Sequence, residues 1–161
     1  YRRTTIALAA AELSLPAATA SAGDWISYHN DRFGYAVSVP GAFAGQGEPD
    51  SHDGQVFLGP AQARIAVWGG YLAQGDFSAE IARRMGALGA EGWALTYKAL
   101  TPTWASYSGR KGSRVVYVRA IAGCGGGRSA MAAFEYGAAD IVSYKPVVEA
   151  LVTSLRQERC D

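Results

Sequence analysis

From residue 25 onward, short runs in which apolar and polar positions alternate dominate the chain, the pattern of strands with one buried face. "WISY" (25–28) is the first run. The polar "HNDRFG" follows, where Asn30 and Asp31 tolerate a left-handed backbone and Gly34 accepts positive φ. "YAVSV" (35–39) then puts Tyr35, Val37 and Val39 on one face and Ala36 and Ser38 on the other, until Pro40 and Gly41 stop it. Beyond the loop "GEPDSHDG" (47–54), "QVFLG" and "ARIAVWGGYL" read as two strands separated by "PAQ". "WALTYKAL" (93–100) places Trp93, Leu95 and Tyr97 on one face. "TWASYSG" runs into a turn at "SGRKG", and "SRVVYVRAIA" is β-branched and aromatic throughout. "GCGGGR" is a loop, and "SAMAAFEYG" returns as a strand.

The period changes from two to 3.6 in two segments. "DFSAEIARRMGALGAEG" is an amphipathic helix capped by Asp76 or Ser78, with Ile81, Met85 and Leu88 buried and Glu80, Arg83, Arg84 and Glu91 toward water. Gly86 and Gly89 weaken it, a cost that close packing on a sheet offsets. "SYKPVVEALVTSLRQ" is the second helix, with Ser143 as N-cap, Pro146 in its first turn, and Val148, Leu151, Val152 and Leu155 buried. The order β-β-β-β-α-β-β-β-β-α, with short links between strands, predicts an α+β domain: a mainly antiparallel β-sheet with two helices packed on it.

The first 22 residues read differently. Arg2 and Arg3 precede a small and apolar run, and Ala20, Ser21 and Ala22 form a small-residue site before Gly23, the plan of a secretory signal peptide. The run is shorter than the ~20 apolar residues a membrane span needs. The expected organisation is therefore a signal peptide at 1–22 and a single domain at 23–161, periplasmic or secreted, with no transmembrane anchor after cleavage. Removing Arg2, Arg3 and Glu12 leaves thirteen basic and thirteen acidic residues. That neutrality argues against nucleic acid as a partner. Two cysteines in an exported chain predict one disulfide, Cys124 to Cys160, ahead of a redox or metal pair, since no C-x-x-C is present.

The stretch "YHNDRFGYAVSVPGAF" (28–43) resembles the start of PsbP/Mog-type domains: an aromatic residue, a polar turn, Phe-Gly, an alternating strand and a proline. "DGQVF", "ARIAVWG", "WASYSGRKGSRVVYVR" and "VVEALVTSLR" are similar to exported bacterial proteins of the same pattern, so the resemblance spans residues 25–156. It implies a PsbP-like α/β/α sandwich used for scaffolding and assembly. It supplies no catalytic residue and no cofactor.

Candidate chemistry is sparse. "DSHDG" (50–54) contains Ser51, His52 and Asp53, but triad members converge through a fold, and five successive loop residues read as a turn. His29 and His52 are the only histidines; if their loops meet, they and Asp31 or Asp50 form a metal or hydrolytic site. "GCGGGR" lacks the Lys-Ser/Thr ending of a phosphate loop. Trp104 and Tyr107 beside Arg110, Lys111 and Arg114 form a candidate surface for a protein partner. The expected function is an exported, non-catalytic binding or assembly module. The alternative is a small metal-dependent or hydrolytic enzyme built on the His29 and His52 loops, with Asp53 as a further candidate. The oligomeric state is left open.

Overall fold

Residues 24–73 and 76–161 are described in the computed structural model, so the expected leader lies outside the described residues. The strands are β1 (Trp25–His29), β2 (Tyr35–Pro40), β3 (Ala44–Gly45), β4 (Gly54–Leu58), β5 (Arg64–Tyr71), β6 (Ala94–Leu100), β7 (Trp104–Lys111), β8 (Arg114–Gly123), β9 (Arg128–Gly137) and β10 (Arg156–Gln157). The helices are α1 (Phe77–Ala90) and α2 (Lys145–Ser154). The α+β architecture is as expected, but the strands divide between two sheets. One has the order β1-β2-β10 and the other β3-β4-β5-β9-β8-β7-β6. Their pairings are antiparallel. The long link through α1 carries the chain from β5 to the far edge, so β9 pairs between β5 and β8.

Alternation along β5, β8 and β9 feeds two cores, one on each face of the large sheet. Leu72, Phe77 and Ile81 of the α1 side pack with Tyr107, Val116, Val118, Ala120 and Met131. On the other face, Tyr35, Val37 and Val39 of β2 and Val147, Leu151 and Leu155 around α2 pack with Ile65, Val67 and Phe134. Ala36, set between His29 and Arg156 of the flanking strands, is buried as well, so its sequence alternation does not mark a wet face.

Several local expectations are narrowed or corrected. In "HNDRFG" only Gly34 has a positive φ; Asn30 is buried, accepts from Phe33 N and donates to Tyr28 and His52. Asp76 caps α1 by accepting from Ala79 N at 3.0 Å, while Gly86 and Gly89 face open space and do not pack on the sheet. A bulge between Leu95 and Tyr97 breaks the alternation of β6, so Leu95 sits opposite Gly109 and Tyr97 opposite Ser108 on the other face. The β7–β8 turn is Gly112-Ser113, with Gly112 at φ 59°, and Arg110 and Lys111 belong to the strand. Tyr144, not Ser143, is the N-cap of α2, and Val147 replaces Val148 in its buried stripe. Residues 156 and 157 leave the helix to pair with β2.

That exit positions the C-terminal tail. Glu158 N and Arg159 N both donate to Gly34 O, at 2.7 and 3.0 Å, and Gln157 donates to Phe33 O at 2.6 Å. A Cβ on Gly34 would collide with Arg159 O, so glycine here serves both the turn and the tail above it. The Cys124–Cys160 disulfide closes the same junction, with Cα atoms 5.3 Å apart.

Candidate functional site

The two histidine loops do meet, through Asn30 rather than through their imidazoles. Asn30 Nδ2 donates to Tyr28 Oη at 3.1 Å and to His52 O at 2.9 Å. Arg32 donates to Ser51 O and Tyr35 to Asp53 O, which fixes the second loop on the first. The imidazoles go separate ways. His29 Nδ1 lies 2.9 Å from Glu158, and His52 Nδ1 lies 3.1 Å from Glu48. Ser51 donates to Asp53 at 2.9 Å, not toward His52, and Asp31 pairs with Arg159. Asp50 is exposed. Among the described residues no three His, Cys, Asp or Glu side chains are grouped to hold a metal ion, so the alternative in which His29, His52, Asp31 and Asp50 converge is not realised.

Glu48 is the charged centre of this region. The Tyr28 hydroxyl, at 2.5 Å, and secondarily His52 hold its carboxyl below the usual range. Burial, with Glu48 beside it, pushes the Tyr28 phenol up to about 12. The result is a clamp between β1 and the loop, bordering a shallow groove of about 460 Å³ that Gln46, Gln55 and Trp68 also line.

The expected partner surface is divided by the pleat. Tyr107 is 3% exposed and lies in the α1-side core, whereas Trp104 projects from the opposite face. Arg110 donates to Gly112 O, Lys111 to Glu91 O and Arg114 to Gln62 O, all at the hairpin end of the strands. Trp104 starts β7 and lies opposite Ile121 at its other end, away from these cations.

What Trp104 meets is Arg119, a residue that strand patterning did not single out. Its guanidinium lies 4.4 Å from the Trp104 ring centroid, and its Nη1 donates to the buried Ser106 Oγ at 3.0 Å. Its Nε is shielded and has no acceptor among the described residues. Register puts Ala99, Ser106 and Arg119 in one cross-strand row and Tyr97, Ser108 and Tyr117 in the next, all on one face of β6, β7 and β8. Burial lowers the pKa of Arg119, an effect that the Tyr117 and Tyr97 phenols partly offset.

The surrounding charge is one-sided. Residues 94–123 contain Lys98, Arg110, Lys111, Arg114 and Arg119 and no Asp or Glu. Of these five, Arg114 pairs with Glu135, while the other four have no carboxylate within 4.0 Å among the described residues. A thirty-residue stretch of three strands without one acid is the signal that finds this lobe from sequence.

No family model matches the chain, and no curated protein matches it by sequence. Its fold is shared with solved structures. The solution structure of cyanobacterial PsbP (CyanoP) from Synechocystis sp. PCC 6803 superposes with a TM-score of 0.64 at 10% identity, covering 92% of this chain and 97% of that one. The Ran-binding protein Mog1p of Saccharomyces cerevisiae superposes with a TM-score of 0.59 at 9% identity, covering 83% and 95%. A Mog1 point mutant gives 0.61 at 9% identity, covering 83% and 96%. The described residues therefore form a domain of the PsbP/Mog-like fold.

Proposed function

We propose that this chain is an exported, non-catalytic binding or assembly module that engages a protein partner through the β6–β8 lobe. One observation carries the reading: Arg119 is stacked on Trp104, on a lobe where four of five cations lack a carboxylate among the described residues. A cation held in place by an aromatic ring, beside exposed Tyr97, is a preorganised contact rather than a mobile surface charge. The protein-binding role stated in Mog1p's name supports a partner of the same general class, without identifying it. Export is supported by the signal-like plan of residues 1–22 and by the joining of both cysteines, which suits an oxidising compartment.

The reading is tested in the native cells by placing a photo-crosslinking amino acid at position 97 or, as a control, at position 83 on exposed α1. A discrete heterologous adduct from 97 alone, in the envelope or secreted fraction, is the expected outcome. No adduct from 97, or the same adducts from both positions, counts against the lobe. Recovery of the chain in the cytoplasm counts against export.

A further inference from the structure

Arg119 contributes one of its two outer nitrogens to the fold. Nη1 is engaged by Ser106, while the edge formed by Nε and Nη2 has no hydrogen-bond acceptor among the described residues. A shielded guanidinium N–H without an acceptor is costly, and water does not reach Nε to relieve it. The Trp104 ring beneath and the Ser106 hydroxyl beside the guanidinium fix its plane. Nη2, unpartnered among the described residues and not shielded, is thereby a donor held in a fixed direction, and a carboxylate oxygen is the acceptor that makes the strongest bond to it. The neighbouring row offers the Tyr97 and Tyr117 phenols and Ser108, all able to donate, and Tyr97 is 50% exposed. Because β6 ends the large sheet, this face has an open side.

Resting on the reading of the lobe as a binding surface, we propose that Arg119, fixed by Trp104 and Ser106, is the receptor for a carboxylate side chain on an acidic, extended segment of the partner protein. Charge complementarity commits the face to that occupant. Residues 94–123 carry no negative charge, and Arg110 shares the Arg119 face, whereas register places Lys98, Lys111 and Arg114 on the α1-side face of the same strands. An extended segment crossing the face sets one carboxylate on Nη2 of Arg119 and a second in the field of Arg110.

The test is fluorescence anisotropy of labelled hexaglutamate with the full chain at low salt. Wild type binds, and Arg119→Met, which keeps an apolar side chain against Trp104, weakens binding about tenfold or more, the scale of one charge-assisted pair. Arg119→Lys restores it only in part, since lysine keeps the charge without a donor held in plane by Trp104 and Ser106. Arg83→Gln, which removes the same charge from α1, stays within about twofold. Thermal unfolding and Trp fluorescence confirm that each variant is folded; should Arg119→Met unfold, Arg119→Lys decides.

No binding of hexaglutamate by wild type, equal binding by Arg119→Met, or full rescue by Arg119→Lys overturns the proposal. Tighter binding of octathymidylate than of hexaglutamate overturns it in favour of a phosphate polymer. If the position-97 adduct persists at full yield in Arg119→Met, the carboxylate receptor fails while the binding module stands. If the adduct never forms, the module fails and the hexaglutamate titration still decides the receptor.

Discussion

At the scale of single residues, buried phenols make stability sensitive to alkaline pH. Burial pushes Tyr107 up to about 12, with Arg84 pulling it down and Glu80 pushing it up to smaller extents. A phenol whose folded pKa exceeds its unfolded value near 10 stabilises the fold fully below pH ~10. That contribution is lost as pH rises from about 10 to 12. Tyr28 acts in the same direction over the same window. Tyr107→Phe should therefore change stability by no more than ~1 kcal/mol at pH 7, because its hydroxyl has no partner among the described residues. It should also flatten the fall in urea midpoint between pH 8 and pH 11. An unchanged fall in the variant places the alkaline sensitivity elsewhere. The sequence marks Tyr107 only as an aromatic in a strand. Its burial follows from the pleat, which sends Trp104 and Tyr107 to opposite faces, a parity readable once the strand is known. The face of Tyr97 was not readable, because an extra residue in the bulge leaves no mark on a hydrophobic pattern.

At the scale of elements, the strands of the large sheet and both helices are legible because alternation and helical period report burial directly. The two-residue strands β3 and β10 are too short for any period, and they exist because longer strands offer them an edge. β10 matters most, since it turns the polar "RQERC" from a loose end into a docked tail. Three devices hold that tail: the pairing with β2, the two amides on Gly34 O, and the Cys124–Cys160 bond. With a sequence separation of 36, the disulfide contributes up to ~4 kcal/mol by restricting the unfolded chain. The double variant Cys124→Ser/Cys160→Ser should lose roughly 2–4 kcal/mol by denaturant titration yet keep its fold, because the backbone bonds to Gly34 remain. Protease cleavage confined to residues after 157 is the expected first lesion. Global unfolding of the variant at room temperature shows instead that the bond, not the pairing, docks the tail. The candidate site was legible only in part for a related reason. His29, His52 and three aspartates look convergent on paper, yet His29, His52, Asp31 and Asp53 each find a nearer structural partner once the tail and the Asn30 turn are in place, and Asp50 is left exposed.

At the scale of the whole molecule, neutrality hides a separation of charge. Residues 23–161 carry thirteen basic and thirteen acidic groups, so the net charge of +5 on residues 94–123 is balanced by −5 elsewhere. Since β6, β7 and β8 are neighbours at one end of the large sheet, that asymmetry in sequence becomes an asymmetry in space. The Debye length at 0.1 M salt is about 10 Å, roughly the width of three adjacent strands, so a charged surface samples the lobe and not the molecular average. The domain should thus be retained on a sulfonate cation exchanger at pH 7 and low salt despite its zero formal charge, and released by moderate salt. Lys98→Glu with Arg110→Glu takes the stretch from five net positive charges to one, and should abolish retention. Arg83→Glu with Arg84→Glu makes the same change in net charge on α1 and should leave most of it, because those arginines already share Glu80. Equal loss in the two double variants makes net charge the controlling quantity and removes the lobe as a distinct electrostatic surface. Selective loss in the first makes the lobe the face that any acidic partner meets first.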